Sequence, residues 1–178
     1  MTRGVLPGVL IAVGLALLNL IRMASRPRDA VLGIVEGNCD VYCVNEEEGG
    51  QTIPGLLIYR FEASLVFFNA DYFSDRVRTF VSKSETKPKY FLFDAESVPI
   101  LDVSAAFALE SLRAELAGQG IVLGIARARG LFRIMLEGAG VAKAIGKQNL
   151  FPTVHAGVRS FQEWNGLLKE RSIEAANF

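Results

Sequence analysis

The stretch Ile53-Pro54-Gly55-Leu56-Leu57-Ile58-Tyr59-Arg60-Phe61-Glu62-Ala63-Ser64-Leu65-Val66-Phe67-Phe68-Asn69-Ala70 decides how the rest of the chain is read. Pro54-Gly55 is a turn pair. Behind it, residues 56–61 (LLIYRF) are branched and aromatic, the composition of a strand. Residues 65–68 (LVFF) have the same character and predict a second short strand. From Ala70 the period changes. Phe73, Val77, Phe80 and Val81 fall at i, i+4, i+7 and i+8, which predicts a helix over residues 70–84 with one apolar stripe.

The same alternation continues toward the C-terminus. Residues 90–93 (YFLF) form an uninterrupted apolar run, as in a strand covered on both faces. Residues 104–117 predict a helix with Ala105, Leu109, Leu112 and Leu116 on one side, ended by Gly118 and Gly120. Residues 121–126 (IVLGIA) are the next buried strand, and Leu131, Ile134 and Met135 mark a short third helix. Residues 151–154 predict a brief strand, and Val158, Phe161, Trp164 and Leu168 stripe a final helix. Strands alternating with helices imply an α/β domain, a largely parallel sheet with helices packed upon it.

Upstream the composition shifts sharply. Residues 4–21 (GVLPGVLIAVGLALLNLI) hold no charge and one polar side chain, Asn19. The run has the length of a short membrane span. A signal peptide needs small residues at −3 and −1 of its cleavage point, and here Arg22 or Met23 falls at −3. A soluble helix of this length would show a polar face, which is missing. We read a membrane helix. Arg22, Arg26 and Arg28 behind it, against Arg3 before it, place its C-terminal side in the cytoplasm. Gly4 and Gly8 form a G-x-x-x-G with Pro7 inside it, and carry little weight. Pro27 breaks the helix. The expected organisation is a membrane helix over residues 1–25, a linker over 26–32 and a globular domain over 33–172.

The 178 residues accommodate one domain and a short extra element. Lys+Arg and Asp+Glu both number 19, so no net charge suggests a nucleic-acid partner. Cys39 and Cys43 are far from a disulfide framework and read as reduced thiols. His155 is the single histidine, so the usual His/Cys metal cluster cannot be assembled; it reads as a surface residue opening the last helix. There is no G-x-S-x-G and no Walker lysine loop. Gly138-x-Gly140, followed by Gly146, trails a helix instead of opening one after a strand, so a dinucleotide loop is not supported. Residues 46–48 (EEE), beside Gly49-Gly50, read as a solvated loop. No catalytic constellation is present, which argues against an enzyme.

The run from Ile53 to Ala70 resembles the signature at the head of the STAS domain of SulP-family (sulfate permease) anion transporters, P-G-L-x-x-Y-R-F-x-A-x-L-x-F-x-N-A, and Tyr72, Phe73, Arg76 and Val77 continue it. Arg26-Pro27-Arg28-Asp29-Ala30-Val31-Leu32-Gly33 resembles the linker between the last membrane helix and that domain. Phe93-Asp94-Ala95-Glu96-Ser97 and Leu101-Asp102-Val103-Ser104-Ala105-Ala106 fall where STAS domains carry the central strand and the switch loop. The resemblance implies a STAS-like fold: a mixed, mainly parallel sheet with helices packed on it. It further implies the cytoplasmic regulatory end of a secondary transporter of sulfate, bicarbonate or chloride-like anions in the cell membrane. Such a piece is not transport-competent alone. Its partners would be the membrane, the rest of the transporter's membrane domain, a second copy through the parent transporter, and a cytosolic regulatory protein as a further option. The alternative is a stand-alone STAS signalling protein of the anti-sigma-factor-antagonist type, for which the apolar run has no use.

In those antagonists the loop reads D-S-S-G, with the first serine phosphorylated. Asp102 matches the aspartate, Val103 takes the phosphorylated serine's place, Ser104 matches the second serine and Ala105 the glycine. Valine cannot accept phosphate. Asp102 and Ser104 are therefore the candidate switch-loop residues and Ser104 the phospho-acceptor candidate, against the alternative that either simply caps the helix. Some STAS domains have been proposed to bind nucleotides near this loop; no phosphate-cradling motif supports it here, and no cofactor is expected.

Overall fold

The computed structural model of the chain describes residues 5–33 and 53–176. Cys39, Cys43 and residues 46–48 lie outside the described residues. Helix α1 (Val5–Ser25) comes first, with 21 residues. At about 1.5 Å per residue it is about 31 Å long, which matches the hydrocarbon core of a bilayer. Pro7 sits in its first turn, where a missing N–H costs no hydrogen bond. The large apolar side chains from Leu6 to Met23 are exposed along its whole length. Among the described residues it is the one helix long and apolar enough to cross a membrane.

Among the described residues five strands follow in one sheet: β1 (Asp29–Leu32), β2 (Leu56–Phe61), β3 (Tyr90–Asp94), β4 (Val122–Ala126) and β5 (Leu150–Phe151). Their spatial order equals their chain order; β1 runs antiparallel to β2 and the rest are parallel. This is the mixed, mainly parallel sheet expected from the sequence. Strand side chains alternate between faces. Leu57, Tyr59, Phe61, Phe91, Phe93, Leu123 and Ile125 meet α2 (Ala70–Lys83), α3 (Val103–Gly118), α4 (Gly130–Gly138) and α5 (Val141–Ile145) in one core. Leu56, Ile58, Tyr90 and Leu92 meet α6 (Val154–Ala176) through Val154, Val158 and Phe161 on the other. Two covered faces explain why β3 is buried throughout.

Two glycines are required by geometry. Gly55 holds φ +84° and its carbonyl accepts from both Lys89 and Tyr90, so the Pro54-Gly55 turn sets the register of β2 against β3. At Gly124 an added Cβ would lie 2.5 Å from the Tyr90 hydroxyl, so the bare backbone leaves room for that ring.

Three sequence expectations need correction. Residues 65–68 are not a strand: only Leu65 forms a bridge, to Leu101. Side chains take the backbone amides that a ladder would need, as described below. The expected linker is partly sheet, since Asp29–Leu32 pairs as β1. Its first residue is held by Tyr59 Oη (2.9 Å) and Arg76 Nε (2.7 Å), both donating to Asp29 Oδ2. The strand expected over 151–154 is Leu150–Phe151, and Val154 already begins α6, where Thr153 Oγ1 accepts from Ala156 N–H. Helix α4 forms where the sequence expects it; Phe132 and Leu136 are its buried residues, and Leu131 and Ile134 face outward. Gly138 ends α4, and Gly140, left-handed, and Gly146, at φ +86°, flank α5 with positive φ. His155 lies half-buried in the first turn of α6 with Arg159 beside it.

Burial pushes the phenols of Tyr59 and Tyr90 up from their ordinary values, and the Asp29 carboxylate adds to the effect at Tyr59. A raised folded-state pKa contributes stability that is complete below the unfolded value of about 10 and is lost as pH rises above it. Each tyrosine is expected to cost about 1.4 kcal/mol per pH unit there. Urea unfolding at increasing alkaline pH measures this slope, and Tyr90→Phe should remove one tyrosine's share. Constant stability up to about pH 11 would contradict the sequestration of both phenols.

Candidate functional site

The parallel strands β2–β5 all end on one edge of the sheet, the edge at which open α/β sheets gather functional loops. β1 starts at that same edge, with Asp29 opposite Phe61. The chain therefore leaves α1 and enters the domain there. Asn69, buried in the loop after β2, reinforces the junction: Nδ2 donates to Ser64 O (3.0 Å) and, at 3.4 Å, to Ala24 O of α1. Its Oδ1 accepts from Val66 N–H at 2.9 Å.

Asp102 holds two loops at once. It is the N-cap of α3, where Oδ1 accepts from Ala105 N–H at 2.7 Å. Its Oδ2 accepts from Phe67 N–H, also at 2.7 Å, and backbone bonds join Leu65 to Ile100 and Asp102. The loop after β2 is thus pinned to the start of α3. Val103 and Ser104, the first two residues of α3, are both exposed. An exposed hydroxyl in a helix's first turn, where aligned peptide dipoles favour negative charge, suits an added phosphate.

Beside these loops lies a cluster that the motif reading did not single out. Asp94 ends β3 and is fully buried, and it shares the α6-facing parity of Tyr90 and Leu92. Arg60 Nε donates to its Oδ2 at 2.8 Å. Arg127 Nε donates to its Oδ1 at 2.8 Å, with Nη2 on Oδ2, and the Glu96 amide adds a bond at 3.2 Å. Arg127 reaches back because its backbone adopts φ +60°, a strained conformation for a non-glycine residue. Glu96 pairs in turn with Arg127 and, at 3.9 Å, with Arg60. The side chains of Arg60 and Arg127 keep about a fifth of their surface exposed, 21% and 18%. The cluster ties together the ends of β2, β3 and β4.

A five-stranded mixed sheet with α6, among the described residues, covering one face and a capped loop before α3 is a specific arrangement, and residues 50–157 match the model of the STAS domain. The chain belongs to the STAS domain family. Among its relatives, a protein named probable sulfate transporter from Mycobacterium tuberculosis is 36% identical over 89% of this chain and 28% of its own length. Another, named probable sulfate transporter 4.2, from Arabidopsis thaliana, is 31% identical over 88% of this chain and 24% of its own. The chain thus spans about a quarter of the length of these relatives. The same fold recurs in the murine Solute Carrier 26 family member A9 anion transporter (TM-score 0.78, 20% identity, 88% of this chain, 25% of that one). It recurs also in the SulP transporter STAS domain from Vibrio cholerae (TM-score 0.54, 24% identity, 67% of this chain, 92% of that one). Together these fit the C-terminal, STAS-bearing part of a SulP transporter.

In this STAS domain the sequence-predicted residues Asp102 and Ser104 stand together at the start of α3, and Asp102 is the cap. The Arg60–Asp94–Arg127 cluster escaped the sequence reading. Its available signal was a charge interrupting LLIYRF and another ending YFLFD, each inside an otherwise apolar strand.

Proposed function

We propose that this chain is the regulatory C-terminal part of a SulP-type secondary anion transporter. In this reading α1 is the last membrane helix, the STAS domain lies in the cytoplasm, and two copies meet through the parent transporter. The transporter names of the relatives and the exposed apolar surface of α1 support it. The observation that carries the regulatory part is a continuous path of bonds from α3 to α1. Asp102 caps α3 and holds the Phe67 amide, and Asn69 two residues on grips Ser64 and touches Ala24. A change at the exposed start of α3 therefore has a route to the membrane helix. The motif reading assigns no catalytic role to any residue, and one membrane helix cannot form an alternating-access path. Reconstituted alone, the chain should give no saturable sulfate uptake.

The test uses a complete transporter bearing this domain. Ser104→Asp places a negative charge in the first turn of α3, where the helix dipole favours it by about 0.3–1 kcal/mol, so folding should be unharmed. We expect the uptake rate to change by about twofold or more with the melting temperature nearly constant, and Ser104→Ala to behave as the unmodified protein. Equal uptake in all three, with the domain folded, would reduce this loop to a structural turn.

A further inference from the structure

The loops after β2, β3, β4 and β5 share the edge at which β1 begins. The four Cα–Cα steps from Ser25 to Asp29 reach at most about 14 Å, so the start of β1 on this edge stays close to the end of α1. Beside the ends of β4 and β5 it contains a cavity of about 760 Å³. The floor includes Ile125 and Phe151, and the rim carries Arg129, Arg133, Lys143 and Lys147. Against these stands one carboxylate, Glu137, held by Arg133 Nε at 2.9 Å. The outer face of the adjoining α4 presents Leu131 and Ile134, 62% and 65% exposed and three residues apart. Phe67, 69% exposed and packed edge-on against Phe68, lies on the same edge.

We propose that this edge rests on the membrane and that the cavity binds the phosphate of an acidic phospholipid headgroup, with Leu131 and Ile134 entering the adjoining interface. Outward aliphatic side chains beside a basic rim are costly in water and are the composition of a helix lying in a bilayer interface. Excess cationic charge is drawn to an anionic leaflet within a Debye length, and the short connection to α1 tethers the β1 end of this edge near the bilayer. The apolar floor suits the glycerol and upper acyl region attached to the phosphate. The proposal rests on α1 spanning the bilayer, as proposed above.

The full chain is placed in nanodiscs of phosphatidylcholine alone or with added phosphatidylglycerol, and amide hydrogen exchange is read over α4. Incorporation into the neutral discs that withstands a high-salt wash depends on α1 and not on the cavity. Failure there overturns the membrane-helix reading, and this proposal with it. Given incorporation, exchange over α4 is expected to slow by about tenfold in the acidic discs. The slowing should fade in high salt and disappear when Arg129, Arg133, Lys143 and Lys147 are all changed to Gln. Leu131→Ser with Ile134→Ser, which leaves the core and the cations intact, should weaken it. Unchanged exchange over β3 checks that each variant is folded. Equal exchange in the two discs, slowing that survives the four-Gln variant, or equal slowing by inorganic phosphate in neutral discs would each overturn the lipid assignment.

Discussion

Asp94→Ala is expected to destabilise the domain by about 3–5 kcal/mol, the usual cost of deleting one partner of a buried ion cluster. Asp94 is fully buried and receives bonds from Arg60, Arg127 and the Glu96 amide. Alanine removes the carboxylate and leaves two guanidiniums beside each other, mostly out of water. Glu96 is half exposed and can neutralise part of that charge, which holds the loss toward the lower end. Asp94→Asn keeps one oxygen acceptor and should cost less. Urea unfolding at neutral pH measures both variants. A loss below about 1 kcal/mol for the alanine variant would mean that both arginines turn out to solvent at little cost.

Phe73→Ala is expected to cost a further and independent kind of stability, about 3–5 kcal/mol from lost burial and the cavity left behind. Phe73 is the residue through which α2 enters the main core. Its ring centroid lies 5.0 Å from Phe93, 5.3 Å from Phe61 and 5.7 Å from Tyr59. Its neighbours come from two central strands, which cannot collapse into the void without breaking the β2–β3 ladder. Phe73→Leu should lose about 1–2 kcal/mol, because most of the volume stays filled. With total stabilities of about 5–15 kcal/mol for ordinary domains, the alanine variant would be partly unfolded under mild denaturant. A midpoint unchanged from the parent chain would show that α2 is held by its surface ion pairs instead, such as Arg78 with Glu115.

The two substitutions probe different consequences of one strand pattern. In LLIYRF, Tyr59 and Phe61 point to the α2–α3 core while Arg60 between them points to the α6 face. Tyr59 then fastens the edge strand through Asp29, and Arg60 fastens β3 through Asp94. The three adjacent residues of this motif thus hold three different parts of the fold.

By itself the sequence determined the features set by local period and composition. The apolar continuity of residues 4–21 is visible without any partner, because a helix with no polar face leaves an unbroken apolar run in the sequence. The stripes of α2 and α3 and the apolar runs of β2, β3 and β4 were legible because burial on one stripe or both faces leaves a periodic or continuous mark. The run from Pro54-Gly55 to Asn69 carried the family by its resemblance to the SulP signature, and in the fold it supplies a turn, a strand and the side-chain amide that holds the loop after β2.

Only the tertiary structure decided the rest. Residues 65–68 look like a strand, but Asn69 and Asp102 capture the amides of Val66 and Phe67, and Asp102 lies 35 positions away in sequence from the amide of Phe67. Asp29–Leu32 carries little strand signal, yet it pairs with β2 because Tyr59 and Arg76 anchor its first carboxylate. Leu131 and Ile134 mark a helix correctly but point away from the core, because packing against the sheet and neighbouring helices gives the inward positions to Phe132 and Leu136. The Asp94 cluster joins residues 34 and 33 positions apart, and no local period records a charge whose partners arrive from other strands. Local sequence fixes what each element is; long-range hydrogen bonds and ion pairs fix which face it turns and what it touches.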